Sequence, residues 1–255
     1  MTLSVLASPV SLPVFLVPSL SSATIGATLE VVGDEAHHAV VVRRITVGEQ
    51  VALTDGVGTT AACEVLTTAK GSLCARVLDV TFVERETPRL VVVQAIPKGD
   101  RGELAVEMLT EVGVDVIVPW AASRSVAVWR GDRAAKSLSK WRATAREAAK
   151  QARRSWFPSV AEMASTQDVV GLLERASLPV VLHEAASGPM SDLPVLGRGE
   201  IVIVVGPEGG ISDDELAAFA DVGAEAVRLG SSVLRTSTAG VAAAAALLSR
   251  TPRWR

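Results

Sequence analysis

Hydrophobic positions follow two patterns along the chain, and the change falls at Thr87-Pro88. Before that point, short apolar segments alternate with polar turns; the segments are residues 28–32, 50–54, 61–66 and 73–80. Residues 55–58 (DGVG) and 70–72 (KGS) have the composition of hairpin turns. The first part of the chain is therefore predicted to be a small β-barrel, with one short helix over residues 35–44.

After the boundary, buried strands alternate with helices. The predicted strands are residues 90–96, 114–120, 179–183, 201–205 and 226–229. A helix is expected over residues 102–112, ended by Gly113. Its stripe of Leu104, Met108 and Val112 should face the core. This alternation predicts a doubly wound α/β domain with a mostly parallel sheet.

The junction after strand 201–205 is the first candidate ligand site. GPEGG at 206–210 must be a loop, and Ser212 and Glu215 have the spacing of a capping box. Ligands bind outside the carboxyl ends of strands in open parallel sheets. The acidic helix start, with Asp213 and Asp214, disfavours a phosphate, and the loop matches no nucleotide fingerprint. A neutral or cationic ligand fits, as does a tight turn without any ligand.

A second junction of the same kind follows strand 226–229. The chain breaks at Gly230 and enters an alanine-rich helix through LRTSTAG at 234–240. Hydroxyls at 236–238 can cap this helix, but Arg235 is a charge that a cap does not need. The run of alanines at 242–246 permits close backbone approach to the sheet, to a loop or to a second subunit.

Composition indicates a soluble protein of one large or two modest domains. The 255 residues carry a net charge of −3 and are 49% hydrophobic, with no apolar run of transmembrane length. The apolar N-terminus lacks a basic region and is broken by prolines, so a signal peptide is not expected and a cytoplasmic location is. Cys63 and Cys74 are expected to be reduced. No metal is expected, because no cysteine or acid cluster accompanies His37 and His38.

Positive charge is concentrated between residues 121 and 158, where ten lysines or arginines face two acids. A helix is expected there from about residue 139 to 153. Its buried stripe would be Trp141, Ala145, Ala148 and Ala152. Its basic stripe would be Arg142, Arg146, Lys150 and Arg153. Such a stripe can neutralise RNA phosphates, and it is also what an ordinary solvated helix face looks like.

These motifs carry a resemblance to a known family. GPEGG after a buried strand, VRLG, and LRTSTA before the last helix resemble the SPOUT class of S-adenosylmethionine-dependent RNA methyltransferases. Within that class the chain is similar to the RsmE family, which methylates N3 of a uridine in 16S ribosomal RNA. QAIPKGD, TEVGVD and SRSV resemble the same family, so the match covers nearly the whole chain. The family pattern reads LRTETA, and Ser237 replaces its glutamate here.

The resemblance implies an architecture and partners. Residues 1–11 would be a flexible extension, 12–86 an RNA-binding PUA-like barrel, and 88–255 a SPOUT methyltransferase domain with a C-terminal trefoil knot. The protein would work as a homodimer on 16S ribosomal RNA or the 30S subunit. S-adenosylmethionine would rest on the ends of three strands. Its expected contacts are Leu182, His183, Gly206, Pro207, Glu208, Gly209, Gly210, Leu229, Gly230, Leu234, Arg235, Thr236, Thr238 and Ala239.

Catalytic and RNA-binding candidates follow from the same resemblance and the expected chemistry. The N3 proton of uridine must leave, so Glu208 is a candidate base and Arg154, which matches the family's Glu-Ala-x-x-Gln-x-x-Arg pattern, a candidate stabiliser of the anion. For Glu208, a role in orienting the loop backbone is equally open. The candidates for RNA contact are Arg43, Arg44, Arg124, Arg142, Arg146, Lys150 and Arg153.

Two other functions stay open from the sequence. The chain could be a non-catalytic RNA-binding protein of the ribosome, or a nucleotide-dependent enzyme of Rossmann type, although the nucleotide fingerprint is missing. Among methyltransferases, transfer RNA and large-subunit RNA remain possible acceptors.

Overall fold

The computed structural model describes residues 12–254, so the predicted extension 1–11 lies outside the described residues. The chain forms two compact units. The first contains the chain up to Arg85 together with Arg153–Trp156, and the second contains Glu86–Ala152 and everything from Phe157 onward. The hydrophobic pattern of the sequence does not predict that Arg153–Trp156 belong to the first unit.

The first unit is built on a five-stranded sheet. Its strands are β1 (Val14–Leu16), β2 (Thr28–Val32), β3 (Gln50–Thr54), β4 (Thr59–Ala69) and β5 (Ser72–Phe82), in the spatial order β1-β3-β4-β5-β2. Only β1 and β3 are parallel neighbours. The four predicted strands are confirmed, and β1 is too short for the pattern to predict. Both hairpin turns are confirmed, with Gly56, Gly58 and Gly71 at positive φ.

The expected helix over 35–44 takes a different form. A single α-helical turn, α1 (Gly33–His37), continues as a π-helical turn over His38–Val42. The Arg43 amide accordingly bonds back five residues, to the His38 carbonyl, at 2.9 Å. The His38 ring lies edge-on to Phe15, with 6.1 Å between ring centroids. Within the described residues, no three His, Cys, Asp or Glu side chains cluster as metal ligands would.

The segment Arg153–Trp156 docks onto the sheet of the first unit. The Gly58 amide donates to the Ser155 carbonyl at 2.9 Å, and the Trp156 indole nitrogen donates to the Val83 carbonyl at 2.7 Å. A Cβ at Gly58 would come within 2.9 Å of the Trp156 ring. Glycine at 58 therefore serves both the turn and the close approach of this ring.

The second unit is a seven-stranded parallel sheet in the order β10-β12-β9-β11-β6-β7-β8. The strands are β6 (Arg89–Ala95), β7 (Val116–Trp120), β8 (Ser159–Val160), β9 (Leu178–Leu182), β10 (Gly188–Pro189), β11 (Glu200–Val205) and β12 (Glu225–Arg228). The helices are α2 (Arg101–Val112), α3 (Asp132–Gln151), α4 (Thr166–Arg175), α5 (Asp213–Asp221) and α6 (Thr236–Leu248), with short 3-10 turns at Met190–Asp192 and Pro252–Trp254.

Helices cover both faces of this sheet, as the doubly wound prediction requires. One face forms a core with residues from α2, α3 and α6, and the other with residues from α4 and α5. The five predicted strands are all present within one or two residues of their expected bounds. No helix in residues 12–254 has the length and apolarity that crossing a membrane requires.

The predicted buried face of α2 is wrong at Leu104, and that of α3 is confirmed except at its last residue. In α2 the buried residues include Ala105, Val106 and Leu109, whereas Leu104 is 43% exposed. The reason is that α2 contacts both α3 and α6, so its buried face is turned from the stripe that the spacing suggests. In α3 the predicted stripe is confirmed at Trp141, Ala145 and Ala148, which are buried. It does not reach Ala152, which is exposed because the helix ends at Gln151.

Candidate functional site

Three neighbouring strand ends surround a cavity of about 370 Å³ in the second unit. They are the carboxyl ends of β9, β11 and β12, the edge where ligands bind in open parallel sheets. Twelve of the predicted cofactor contacts line it: Leu182, His183, Gly206, Pro207, Glu208, Gly210, Leu229, Gly230, Leu234, Arg235, Thr236 and Ala239. Gly209 and Thr238 do not line the cavity.

At each glycine of the GPEGG loop, a side chain is disfavoured for a different structural reason. A Cβ at Gly206 would come within 2.7 Å of the Ile211 side chain. A Cβ at Gly209 would come within 2.8 Å of the Arg124 carbonyl oxygen. Gly210 has φ of +75°, which side-chain-bearing residues rarely adopt. The loop is therefore shaped by contacts within the protein, and its glycines need not touch a ligand to be required.

Glu215 holds the segment after this loop through several hydrogen bonds. The predicted capping box with Ser212 is present at the start of α5. The same buried carboxylate also accepts the Ser123 amide at 2.8 Å and the Thr166 hydroxyl at 3.1 Å. Burial alone would raise the pKa of Glu215, but the hydrogen bonds from Ser123 and Ser212 outweigh it, so its pKa lies below the usual value. One charged group thus joins the start of α5 to the segments of Ser123 and Thr166.

The second loop is fastened to the first at Thr236. Its hydroxyl donates to the Gly206 carbonyl, and its own carbonyl accepts from the Gln94 side-chain amide at 3.3 Å. Gln94 lies in β6 and is fully buried. The start of α6 is therefore held over the end of β11, which fixes one wall of the cavity.

Ser237 occupies the position of the family's glutamate. It is 2% exposed, and its hydroxyl has no hydrogen-bond partner among the described residues. Ser237 is the second residue of α6 and is absent from the cavity lining. A proton-accepting role at this position is therefore not supported in this chain.

Glu208 is exposed at the cavity, and one of its carboxylate oxygens accepts the Lys98 amide at 3.3 Å. This bond ties the GPEGG loop to the loop between β6 and α2. Both roles considered for Glu208, orienting the loop and accepting a proton, are compatible with this position.

Several lining residues are not predicted from the sequence, among them Arg101, Glu184 and Arg228. Arg101 is the first residue of α2 and lies outside the loops after β9, β11 and β12, from which the sequence predicts ligand contacts. The available signal is that QAIPKGD, just before Arg101, also follows a buried parallel strand. The place of β6 beside β11 is what brings this loop to the cavity.

The RNA-contact candidates differ in their surroundings. Arg43, Arg44 and Arg153 are exposed cations of the first unit. Arg124 is exposed and donates to the Ile211 carbonyl at 3.4 Å. Arg154 also belongs to the first unit, where it is half-buried and has an interaction partner.

The predicted basic stripe of α3 is interrupted. Arg142 and Arg146 are exposed and pair with Glu162 and Glu147. Lys150 is only 7% exposed and pairs with Glu147 at 2.8 Å, so it does not lie on the exposed surface as the stripe requires. Burial would raise the pKa of Glu147, but Lys150 and Arg146 lower it below the usual value.

Comparisons with known proteins agree with this geometry. The family model described as an RNA methyltransferase domain matches residues 84–248, and one described as an RNA methyltransferase PUA domain matches residues 33–78. The chain is 47% identical to ribosomal RNA small subunit methyltransferase E of Mycobacterium bovis over 90% of this chain and 89% of that protein. It is 31% identical to the protein of the same name from Bacillus subtilis, over 88% and 91%.

A solved structure shares the whole architecture. Ribosomal RNA small subunit methyltransferase E from Neisseria gonorrhoeae, bound to S-adenosyl methionine, superposes with a TM-score of 0.85. It is 27% identical in sequence, and the match covers 94% of this chain and 98% of the other. The fold, the matched domains and these identities together place the chain in the ribosomal RNA small subunit methyltransferase E family, which is the RsmE family.

Proposed function

We propose that this chain is an S-adenosylmethionine-dependent methyltransferase that modifies N3 of a specific uridine in 16S ribosomal RNA. The observation that carries the proposal is the cavity at the carboxyl ends of β9, β11 and β12, in a chain of this family. The relative from Neisseria gonorrhoeae is bound to the same cofactor.

The cavity suits this cofactor in size and chemistry. Its volume of about 370 Å³ falls in the range of small-molecule sites. Leu182, Val227 and Leu229 offer apolar surface for the adenine ring of the cofactor. Glu184 and Glu208 offer carboxylates to its cationic groups. The first turn of α5 carries the acidic residues Asp213, Asp214 and Glu215, so that helix start does not favour a phosphate.

The chain's own residues would have mainly a positioning task. S-adenosylmethionine supplies, when bound, an electrophilic methyl group on a sulfonium. The GPEGG loop and the segment 229–236 would hold it, and the acceptor nitrogen must approach in line with the bond that breaks. The N3 atom lies on the Watson–Crick edge, so the uridine has to be unpaired before it can enter. Glu208 is the proposed acceptor of the N3 proton, and Arg154 remains a proposed stabiliser of the anion.

The RNA would be bound by exposed cations of both units. Arg43, Arg44 and Arg153 in the first unit, and Arg124, Arg142 and Arg146 in the second, are exposed and can reach phosphates. The substrate is 16S ribosomal RNA, alone or in the 30S subunit. Lys150 stays a candidate only if its pair with Glu147 opens.

A trefoil knot and a homodimer are part of the same proposal. The chain leaves the sheet at β12, beyond β9, and returns across the end of β11 to place α6 against β6 and β11. That return path supports a knotted C-terminal region. Val233, 79% exposed beside the cavity, and the half-buried α6 residues Val241, Ala242 and Ala245 support a second subunit covering this side.

The test is a comparison of nucleosides from 16S ribosomal RNA of cells with and without the protein. Loss of a single N3-methyluridine, restored by the wild-type chain, is expected. Calorimetry with purified protein should show S-adenosylhomocysteine binding at micromolar concentration. An unchanged nucleoside profile together with RNA binding but no cofactor binding would favour the non-catalytic alternative instead.

A further inference from the structure

Arg101 is a half-buried cation in the wall of the cavity. Its guanidinium has no hydrogen-bond or salt-bridge partner in residues 12–254. A guanidinium that has lost part of its hydration is stabilised by an anionic partner with matching hydrogen-bond geometry. The other lining arginines, Arg228 and Arg235, are exposed and keep more of their hydration.

Arg101 lies close in the chain to a residue that contacts Glu208. It is the first residue of α2, three residues after Lys98, whose amide donates to the Glu208 carboxylate at 3.3 Å. The loop before Arg101 is therefore bonded to the loop of Glu208, and the two loops follow the neighbouring strands β6 and β11. A positive donor and a carboxylate thus line the same cavity, on adjacent segments.

The acceptor chemistry needs this combination. As the N3 proton leaves a uridine, negative charge spreads onto the two carbonyl oxygens that flank N3. The group that accepts the proton and the group that stabilises the oxygen must therefore act on one edge of one ring. Arg101 meets this requirement, because it lines the same cavity as Glu208.

We propose, on the basis of the proposed function, that Arg101 is a catalytic residue that donates hydrogen bonds to a uracil carbonyl oxygen as charge develops on it. Glu208 takes the proton from N3, and the nitrogen pair forms a bond to the methyl carbon. The sulfur–methyl bond breaks with its electron pair remaining on sulfur. The products are N3-methyluridine, a neutral thioether and one proton.

The experiment compares Arg101→Gln and Arg101→Lys with the wild-type protein. Arg101→Gln should lower kcat by about 10²- to 10³-fold, the usual effect of removing one donor to a developing oxyanion. Its affinity for S-adenosylhomocysteine, measured by calorimetry, should stay within about twofold, since the proposed contact is to the RNA base. The rise of kcat with pH should move to higher pH, because the uracil then ionises without its stabilising cation. Arg101→Lys should recover part of the rate.

Arg198→Gln is the matched control. Arg198 is an exposed arginine just before β11, at the opposite end of that strand from the cavity, and the rate of this variant should equal the wild-type rate. If Arg101→Gln loses cofactor affinity by the same factor as kcat, Arg101 holds the cofactor and the proposal is overturned. If wild type methylates 16S RNA and Arg101→Gln is equally fast, the proposed function is supported and the proposed role of Arg101 is contradicted. If wild type neither binds the cofactor nor methylates, both fall.

Discussion

At the scale of single residues, Gly209 shows that a motif glycine can be required without touching a ligand. It is outside the cavity lining, yet any side chain there would press on the Arg124 carbonyl. We expect Gly209→Val to displace the GPEGG loop and to weaken S-adenosylhomocysteine binding at least tenfold, which is about 1.4 kcal/mol. Isothermal calorimetry measures this directly.

The control for Gly209→Val is Gly171→Ala in α4. A Cβ at Gly171 meets only the end of the Arg175 side chain, and alanine favours helix over glycine. This variant should bind the cofactor like wild type. Equal affinity of Gly209→Val and wild type would show that the loop tolerates a side chain, contrary to the geometry.

Glu215 gives a prediction about pH. Its pKa is lowered in the folded chain, so its stabilising effect is complete above the unfolded pKa of about 4.3 and is lost as pH falls through the folded pKa. Glu215→Gln leaves buried donors badly matched, and should lower the free energy of unfolding by about 1–3 kcal/mol at neutral pH. The difference from wild type should shrink below about pH 4.

Urea denaturation at neutral and acid pH measures the effect. Glu174→Gln, which removes an exposed carboxylate from α4, should change the free energy of unfolding little at either pH. A Glu215→Gln deficit that is the same at both values would mean that the carboxylate charge is not what stabilises the network.

At the scale of elements, the C-terminal 3-10 turn is fastened by a buried ion pair. Arg253 Nη1 lies 2.8 Å from Asp115 Oδ2, with the two side chains 4% and 3% exposed. Arg253 also donates to the Gly113 carbonyl at 2.7 Å. Arg253→Ala should lower the free energy of unfolding by about 3–5 kcal/mol, because it leaves the buried Asp115 carboxylate without its cationic partner.

Urea denaturation followed by circular dichroism checks this. The double variant Asp115→Ala with Arg253→Ala should be less destabilised than the sum of the single variants, since removing both charges leaves neither uncompensated. Arg198→Ala should leave the midpoint unchanged. Strict additivity of Asp115→Ala and Arg253→Ala would show that the two side chains do not stabilise each other.

Some features of the helices and strands can be predicted from the sequence, and others cannot. Strands β6, β9 and β11 are continuous apolar runs between polar breaks, so their position follows from composition alone. The capping box of α5 is equally local. The buried face of α2 is not, because it depends on α3 and α6, which lie elsewhere in the chain. Arg101 escapes prediction for the same reason, since only the adjacency of β6 and β11 brings it to the cavity.

At the scale of the whole molecule, the net charge of −3 conceals cations that remain exposed in both units. Arg43 and Arg44 lie in the first unit, far along the chain from the cavity residues, and neither has a side-chain partner within the described range. Their proposed role is to hold RNA phosphates. That role makes no contribution to cofactor binding, so the two functions should separate in variants.

We therefore expect Arg43→Gln with Arg44→Gln to weaken binding to a 16S RNA fragment while leaving S-adenosylhomocysteine affinity unchanged. Removing one phosphate interaction should reduce the slope of log K against log salt by about 0.7–0.9, so the slope for the double variant should fall by about 1.5. Fluorescence anisotropy over a series of salt concentrations measures the slope. The double variant Arg175→Gln with Arg198→Gln removes the same charge from exposed sites not proposed to touch RNA. If both double variants lose affinity equally, net charge rather than the surface around Arg43 and Arg44 attracts the RNA.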